Sequence, residues 1–345
     1  MATADLLVVV YEVILHRMAV NFVAIVILSR GRCGLSKCIT RYLVGMAAAD
    51  LLVVILDPLL TWTALFHFQQ SFLFITPMCK VKTFMGFATN AVSVWLTVAF
   101  TFDRFVAICC DNLKAKYCTE RTAAVVIGAV SALSCVESVP WFFLYEYGIL
   151  VDNIPWYCIP SLKFLHSFAW GAYEMFHFIF TPCAPFVIIL FFNFLTSRRI
   201  LVSTRIRCEL RSCQNRKRIQ DVEMQNRRKS VILLFSISGC FILLWGAKVG
   251  HRFYVRITGN KVYTSTSDPS FITEHVSMML QLLSTCTNTC IYVASQNQFR
   301  KALMHALTYP IQMIRKLYRI ERSDLKTYSH SLFPALPPRC EMSRK

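Results

Sequence analysis

A chain of 345 residues that is 55% hydrophobic and only 16% charged, with a mean hydropathy of +0.48, has too little charge to coat a soluble globule of its size. This argues against an ordinary soluble enzyme and for an integral membrane protein. The formal net charge of +18 must then be read by its position before nucleic acid is considered.

Seven long apolar segments are expected, at about 6–29, 40–66, 79–108, 121–143, 170–197, 229–256 and 271–294. Several exceed the roughly 20 residues needed to span a bilayer, which implies tilt or projection beyond it. No repeat or soluble domain stands out. The start carries Asp5 instead of a basic region and no small-residue cleavage site follows, so no signal peptide is expected. Span one begins almost at Met1, so either the chain has no outer domain or its reading frame starts further upstream. No Asn-X-Ser/Thr acceptor is present.

Of the 37 Lys and Arg residues, 29 fall in alternate loops on one side, most of them in 197–229 and after residue 296. By the positive-inside bias that side is cytoplasmic and the N-terminus is outside, a multi-pass arrangement suited to the plasma membrane. The positive charge is thus a topology signal and a surface for a partner or anionic lipid, not a nucleic-acid footprint. Of fifteen cysteines, only Cys79 and Cys158 fall in segments placed at the outer surface, which points to one disulfide between span three and the loop 144–169.

In chain order, span one holds a lone amide, Asn21, expected to bond between helices. Span two carries Asp50 deep in an apolar run, LVGMAAADLLVV. A carboxylate there costs at least a few kcal/mol unless paired, hydrated or ion-bound. Two readings stay open: a neutral Asp50 bonded to Asn21 or Asn288, or a cation site with Ser93, Ser284 and Asn288 as further oxygen donors.

The stretch Cys79–Phe105 is the organising one. From Cys79 to Arg104 a helix runs roughly 37 Å, enough to cross the hydrocarbon. Gly86, Asn90, Ser93 and Thr97 form one small polar stripe, which faces other helices or a wet cavity, and Asp103-Arg104-Phe105 ends it. Span four offers Glu137 and Pro140, and span five Glu174, His177 and prolines at 182 and 185. Loop 197–229 is basic and helix-prone, either a charged face that fixes topology or a docking surface. Span six has Phe241 and Trp245 four apart, core or switch, then Gly246, Lys248, His251 and Arg252. Span seven has Gln281, Ser284, Asn288 and Tyr292, followed by an amphipathic segment 296–307 suited to the inner membrane surface. Residues 308–345 are expected to be a largely disordered cytoplasmic tail.

Together these features resemble the rhodopsin-like (class A) G-protein-coupled receptors over about 6–307. The resemblance rests on Asn21, MAAAD at 46–50, Cys79 with Cys158, Asp103-Arg104-Phe105, Phe241-x-x-x-Trp245, Asn288-Thr-Cys-Ile-Tyr292 and Phe299-Arg300. The phrases TRYLVGMAAADLLVV, FTFDRFVAICC and RRKSVILLF look most like the orphan G-protein coupled receptor 139-like group. The resemblance implies an all-α membrane fold, a seven-transmembrane helix bundle with a short amphipathic helix after the seventh span.

The resemblance also implies roles. Asp103 would hold Arg104 at rest, and Arg104 would swing toward a heterotrimeric G protein as span six moves out. Trp245 would sit under the ligand, Tyr292 would hold the open state, and Asp50, Ser93, Ser284 and Asn288 would take a sodium ion, with no other cofactor. Several positions depart from the family pattern: Phe105 for Tyr, Thr289 and Ala247 for Pro, Val130 for Trp and Asn193 for Tyr. A receptor that no longer couples is therefore also consistent.

Gly86 stands where amine receptors use an acid, and Leu282 where opsins carry the retinal lysine, which argues against a biogenic amine and against light. The outer half offers Lys82, Gly86, Phe87, Asn90, Glu174, His177, Lys248, Arg252 and Gln281 for a small zwitterion or peptide. The group resemblance implies aromatic amino acids or related peptides and the Gq class. A transporter or channel is the runner-up, weakened by the lack of paired repeats and broken helices. A partner that never couples itself is a third reading. His16, His177 and His251 show no catalytic partner in the sequence, so no enzyme activity is expected.

Overall fold

The computed structural model describes residues 2–31, 33–60, 72–162, 167–210, 219–258, 269–295, 298–305 and 308. The expected tail beyond 308 lies outside them. Among the described residues six helices are long and apolar enough to cross a membrane. A further helix, Pro269–Ser295, has similar length but is broken up by Ser, Thr, Gln and Asn along its course.

Helix α1 spans Ala2–Ser29, α2 Lys37–Val54, α3 Thr76–Cys109, the short α4 Asp111–Tyr117 and α5 Glu120–Ser138. After a β-hairpin come α6 Phe168–Phe178, α7 Ala184–Leu210, α8 Ile219–Thr258 and α9 Pro269–Ser295. Residues 298–305 are again helical.

Local chemistry sets many of the ends. Ser36, Thr119 and Ser167 cap α2, α5 and α6, each accepting a bond from a first-turn backbone N–H. Between α1 and α2 the chain turns through Gly31 and Gly34, both at positive φ, where a side chain would be strained. Pro58 widens the end of α2 into a π-turn at Ile55–Leu59, and Pro182 does the same between α6 and α7, with Thr181 in non-helical geometry. Pro185 lies in the first turn of α7, where its missing N–H costs little. Of the two prolines in span five, then, only Pro182 sits at a break.

Helix α3 lies in the middle and touches α2, α5, α7 and α8, while α1 closes the ring against α2 and α9. At the Arg104 end the core is built on Leu28, Tyr42, Leu43, Met46, Leu96, Phe100, Leu233, Ile237, Tyr292 and Phe299, all buried. A second cluster joins Val94 and Val98 to Ile189, Phe241 and Trp245. The outward side chains are the reverse of a soluble protein's. Val125, Leu133 and Leu243 are 65%, 67% and 77% exposed, an apolar belt that only lipid would cover.

The hairpin pairs β1, Tyr145–Val151, with β2, Ile154–Pro160, antiparallel and in register Tyr147↔Cys158. Asp152 and Asn153 form its two-residue turn with φ of 51° and 61°, the left-handed geometry short polar residues tolerate. It rests on the start of α3. The Thr76 hydroxyl donates to the Tyr157 carbonyl at 2.9 Å, and a disulfide joins Cys79 to Cys158, as expected, with Cα atoms 6.5 Å apart. A segment expected as a loop, 144–169, is thus in large part a paired hairpin.

Candidate functional site

Three polar clusters run along the inside of the bundle. At the far end of α3, Asp103 and Arg104 are both buried and form an ion pair, with Arg104 Nε 3.0 Å from Asp103 Oδ2. The other carboxylate oxygen accepts a bond from the Cys38 thiol of α2 at 3.1 Å. The Cys118 thiol donates to the Asp103 carbonyl at 3.6 Å. Burial first, then the Asp103 carboxylate, push the Cys118 thiol up to about 11, so it stays protonated and able to donate. The Arg104 guanidinium lies 5.9 Å from the centre of the Phe100 ring. Phe105, with no hydroxyl to place, packs on Phe192 and Phe102. Neither thiol contact was anticipated, and two cysteines 80 residues apart in sequence give no local signal.

At mid-depth Asp50 is 2% exposed. Its two oxygens accept from Ser93 Oγ at 2.5 Å and Asn288 Nδ2 at 3.1 Å. Of the two donors weighed from the sequence, Asn288 is the one that bonds. Asn21 is fully buried, and its amide makes no hydrogen bond among the described residues. Asp50, Ser93, Thr97, Ser284, Thr287 and Asn288 line a cavity of about 10 Å³, roughly the room of one water or small ion. Phe241 and Trp245 form part of its wall. No basic side chain lines it, so the donor set is all oxygen plus one amide, which suits a hard monovalent cation.

Ser284 faces two ways. It lines that cavity, but its hydroxyl accepts from Trp245 Nε1 at 3.1 Å and donates to the Gln281 carbonyl at 2.6 Å. Gln281 Nε2 in turn donates to Asn90 Oδ1 at 3.3 Å, and Asn90 Nδ2 donates to the Gly86 carbonyl at 3.0 Å. A bonded path therefore runs from α3 through α9 to the indole on α8. A Cβ built on Gly86 would meet nothing within 4 Å, so the space beside α3 at this level is open.

Toward the disulfide end the remaining candidate residues fall into two groups by the partners they meet. Lys82 and Lys248 are half-buried, and each interacts electrostatically with Asp57 of the π-turn. Arg252 and Glu174 pair at 3.7 Å. Lys248 also interacts electrostatically with Glu274 of α9, and neither Glu274 nor Asp57 is expected from the sequence. An acid followed by proline inside an apolar run, ILDPLL, was the available signal for Asp57.

Phe87 and His177 have other partners. Phe87 stacks on Trp141 at 3.7 Å, and His177 meets both rings edge-on. The expectation that His177 has no partner is corrected here. Its Nδ1 lies 2.5 Å from Glu137 Oε1, with the two side chains 14% and 8% exposed. The Tyr173 hydroxyl donates to the Glu137 carbonyl at 2.9 Å. A lone Glu in one span and a lone His in the next cannot show in sequence that packing brings them together.

Phe241 and Trp245 have ring centres 5.6 Å apart, with Phe186 edge-on to Phe241 at 5.4 Å. Tyr292 is buried against Phe299, 5.7 Å between ring centres, which ties the helical segment 298–305 to α9. The Tyr292 hydroxyl makes no hydrogen bond among the described residues.

A ring of membrane-spanning helices around a central polar column, with a disulfide-pinned hairpin at one end and a buried Asp-Arg pair at the other, is the architecture of a seven-helix membrane receptor. The chain belongs to the family described as 7 transmembrane receptor (rhodopsin family), which it matches over residues 20–292. It is similar to the tachykinin-like peptides receptor 86C of Drosophila melanogaster, 24% identical over 274 residues, covering 76% of this chain and 51% of that receptor. It is similar to the blue-sensitive opsin of Gallus gallus, 25% identical over 274 residues, 77% of this chain and 68% of the opsin. A shorter match, 32% identical over 111 residues, links it to the thyrotropin-releasing hormone receptor of Gallus gallus, over 32% of this chain and 27% of that receptor. The chain thus spans about half the length of the first of these relatives. Members of the family are receptors, not enzymes.

Proposed function

We propose that the chain is a receptor of the plasma membrane. It takes a small amino-acid-like molecule or peptide at the disulfide end and activates a heterotrimeric G protein, of the Gq class, at the Arg104 end. On this reading the N-terminus is outside, and the tail and the loop 197–229 are cytoplasmic, the orientation the placement of 29 of 37 basic residues supports. The observation that carries the reading is the bonded path from Asn90 through Gln281 and Ser284 to Trp245. A ligand in the open space beside Gly86 that takes a bond from Asn90 or Gln281 would disturb the Trp245 contact at the other end of the path. Trp245 sits over the Asp50 cavity, so the disturbance has a route inward.

Peptide chemistry is supported by two of the relatives, which are receptors for peptides or a releasing hormone, and by the charged side chains at the disulfide end. Lys82, Lys248 and Arg252 can meet a carboxylate, and Asp57 and Glu174 an amine. Leu282 in place of a retinal lysine weighs against the opsin's chemistry. A sodium ion held by Asp50, Ser93 and Asn288, with Thr97 and Ser284 nearby, would favour the resting arrangement. A ligand that prefers the active arrangement shifts the population, and the G protein must in return strengthen ligand binding.

The test is calcium or inositol-phosphate signalling in cells expressing the chain, with surface level controlled, challenged with aromatic amino acids and a small peptide panel. A response that disappears in Arg104→Ala supports the reading. Full signalling by Arg104→Ala at equal surface level would remove Arg104 from the switch, and silence across the panel would count against the ligand class.

A further inference from the structure

At the Arg104 end a groove of about 350 Å³ opens between the last turns of α1 and the helical segment 298–305. That is within the size range of small-molecule clefts. Its floor is apolar: Phe22, Val23, Val26 and Ile27 from α1, with Ala302 opposite. Its rim is basic: Arg30 at the end of α1, with Lys301 and His305 across from it. No Asp or Glu lines it. Both walls are anchored. Phe299 is fully buried against Tyr292, and the turn at Gly34 packs on Gln298, 3.5 Å from a Cβ built there. Phe22 is 60% exposed, so the floor continues outward into the apolar belt.

We propose that this groove binds one anionic phospholipid, its acyl chain along Phe22, Val23 and Val26 and its phosphate between Arg30 and Lys301. The order of the groups dictates the occupant. An apolar floor on the bilayer side with cations at the interface level matches a molecule that is apolar below and anionic above, and such a molecule is already abundant beside this surface. A second copy of the chain fits poorly, because a twofold contact through the same patch would set Arg30 and Lys301 against their own counterparts. The site lies outside the ligand and coupling clusters. On the orientation proposed above it takes its lipid from the cytoplasmic leaflet, where anionic lipid is abundant, and those two points rest on the functional reading.

The experiment uses the full chain in nanodiscs of phosphatidylcholine doped with phosphatidylserine or phosphatidylglycerol, with retained lipid read by native mass spectrometry. Neither leaflet nor signalling enters this measurement, so it can fail or succeed independently of coupling. The expected result is selective retention of the anionic lipid. Arg30→Gln or Lys301→Gln should weaken it about fivefold each, and the pair roughly 25-fold. Val26→Trp, which fills the floor with the charges intact, should also displace it. Lys114→Gln with Lys116→Gln, exposed on α4 at the same end, should leave retention unchanged. Equal retention by the Arg30/Lys301 variant would overturn the proposal. So would equal loss in the α4 variant, displacement by glycerol phosphate without acyl chains, or a charge-independent dimer through this face.

Discussion

Replacing Ser284 by alanine removes the oxygen that accepts the Trp245 indole proton at 3.1 Å. Trp245 is 7% exposed, so its N–H is left with little access to water. An orphaned buried donor costs about 1–3 kcal/mol. The other bond of the same hydroxyl goes to the Gln281 carbonyl of its own helix, which has a backbone partner of its own, so its loss adds little. We expect Ser284→Ala to destabilise the receptor by about 1–2 kcal/mol, a fall in melting temperature of roughly 2–5 °C. Trp245→Phe removes the donor instead, and in the double variant neither orphan remains. Melting curves of the four proteins in one detergent therefore close a cycle, with an expected coupling of about 1 kcal/mol. If the bond belongs to the resting arrangement alone, Ser284→Ala should also raise basal signalling, about fivefold per kcal/mol of differential stability. Singles that add to within about 0.3 kcal/mol would mean the path from Asn90 to Trp245 is energetically broken at its last step.

Asp50→Asn removes the only carboxyl group that lines this cavity among the described residues while keeping a side chain of the same shape. Any sodium dependence of ligand binding should vanish in this variant, and a dependence that persists would place the ion elsewhere. His177→Ala leaves the Glu137 carboxyl group buried, with the Ser138 hydroxyl as its remaining side-chain hydrogen-bond partner among the described residues. Loss of this hydrogen bond from a buried carboxyl group is expected to cost about 1–3 kcal/mol, and an unchanged melting temperature would show that the contact contributes nothing. Cys38→Ala takes one donor from Asp103 and should raise basal inositol-phosphate production a few-fold, whereas Cys38→Ser should restore the resting level. Identical basal rates for both variants would separate Cys38 from the function of the Asp103-Arg104 ion pair.

What could be read from the chain, and what could not, follows from the range of each signal. Apolar runs, the stripe on α3 and the sidedness of Lys and Arg are local periodicities or counts, and they led to the helical membrane fold and to the pairing of Cys79 with Cys158. Asp50 was legible because a carboxylate amid Leu, Val and Ala announces its own cost. The partner of His177 was not, because Glu137 lies 40 positions away and only the packing of α5 against α6 brings them together. Asp57 was hidden inside a span counted as apolar. The hairpin carried a signal in Asp152-Asn153, but with a single polar pair and a proline beside it the strands looked like irregular loop. Nothing in the sequence sets Cys38 and Cys118 apart from the other cysteines, and only their contacts with Asp103 distinguish them.

Helix α3 has no proline in its interior and runs unbroken from the disulfide to the Asp-Arg pair. Mechanically it is a lever some 37 Å long, held by a covalent bond at one end. Each degree of tilt about Cys79 moves the Arg104 end by about 0.6 Å. A tilt of about a degree and a half would stretch the 3.1 Å contact of Cys38 with Asp103 by roughly 1 Å, past hydrogen-bonding range. A displacement too small to notice beside the hairpin is thus large enough at the opposite end to release a thiol from a carboxylate.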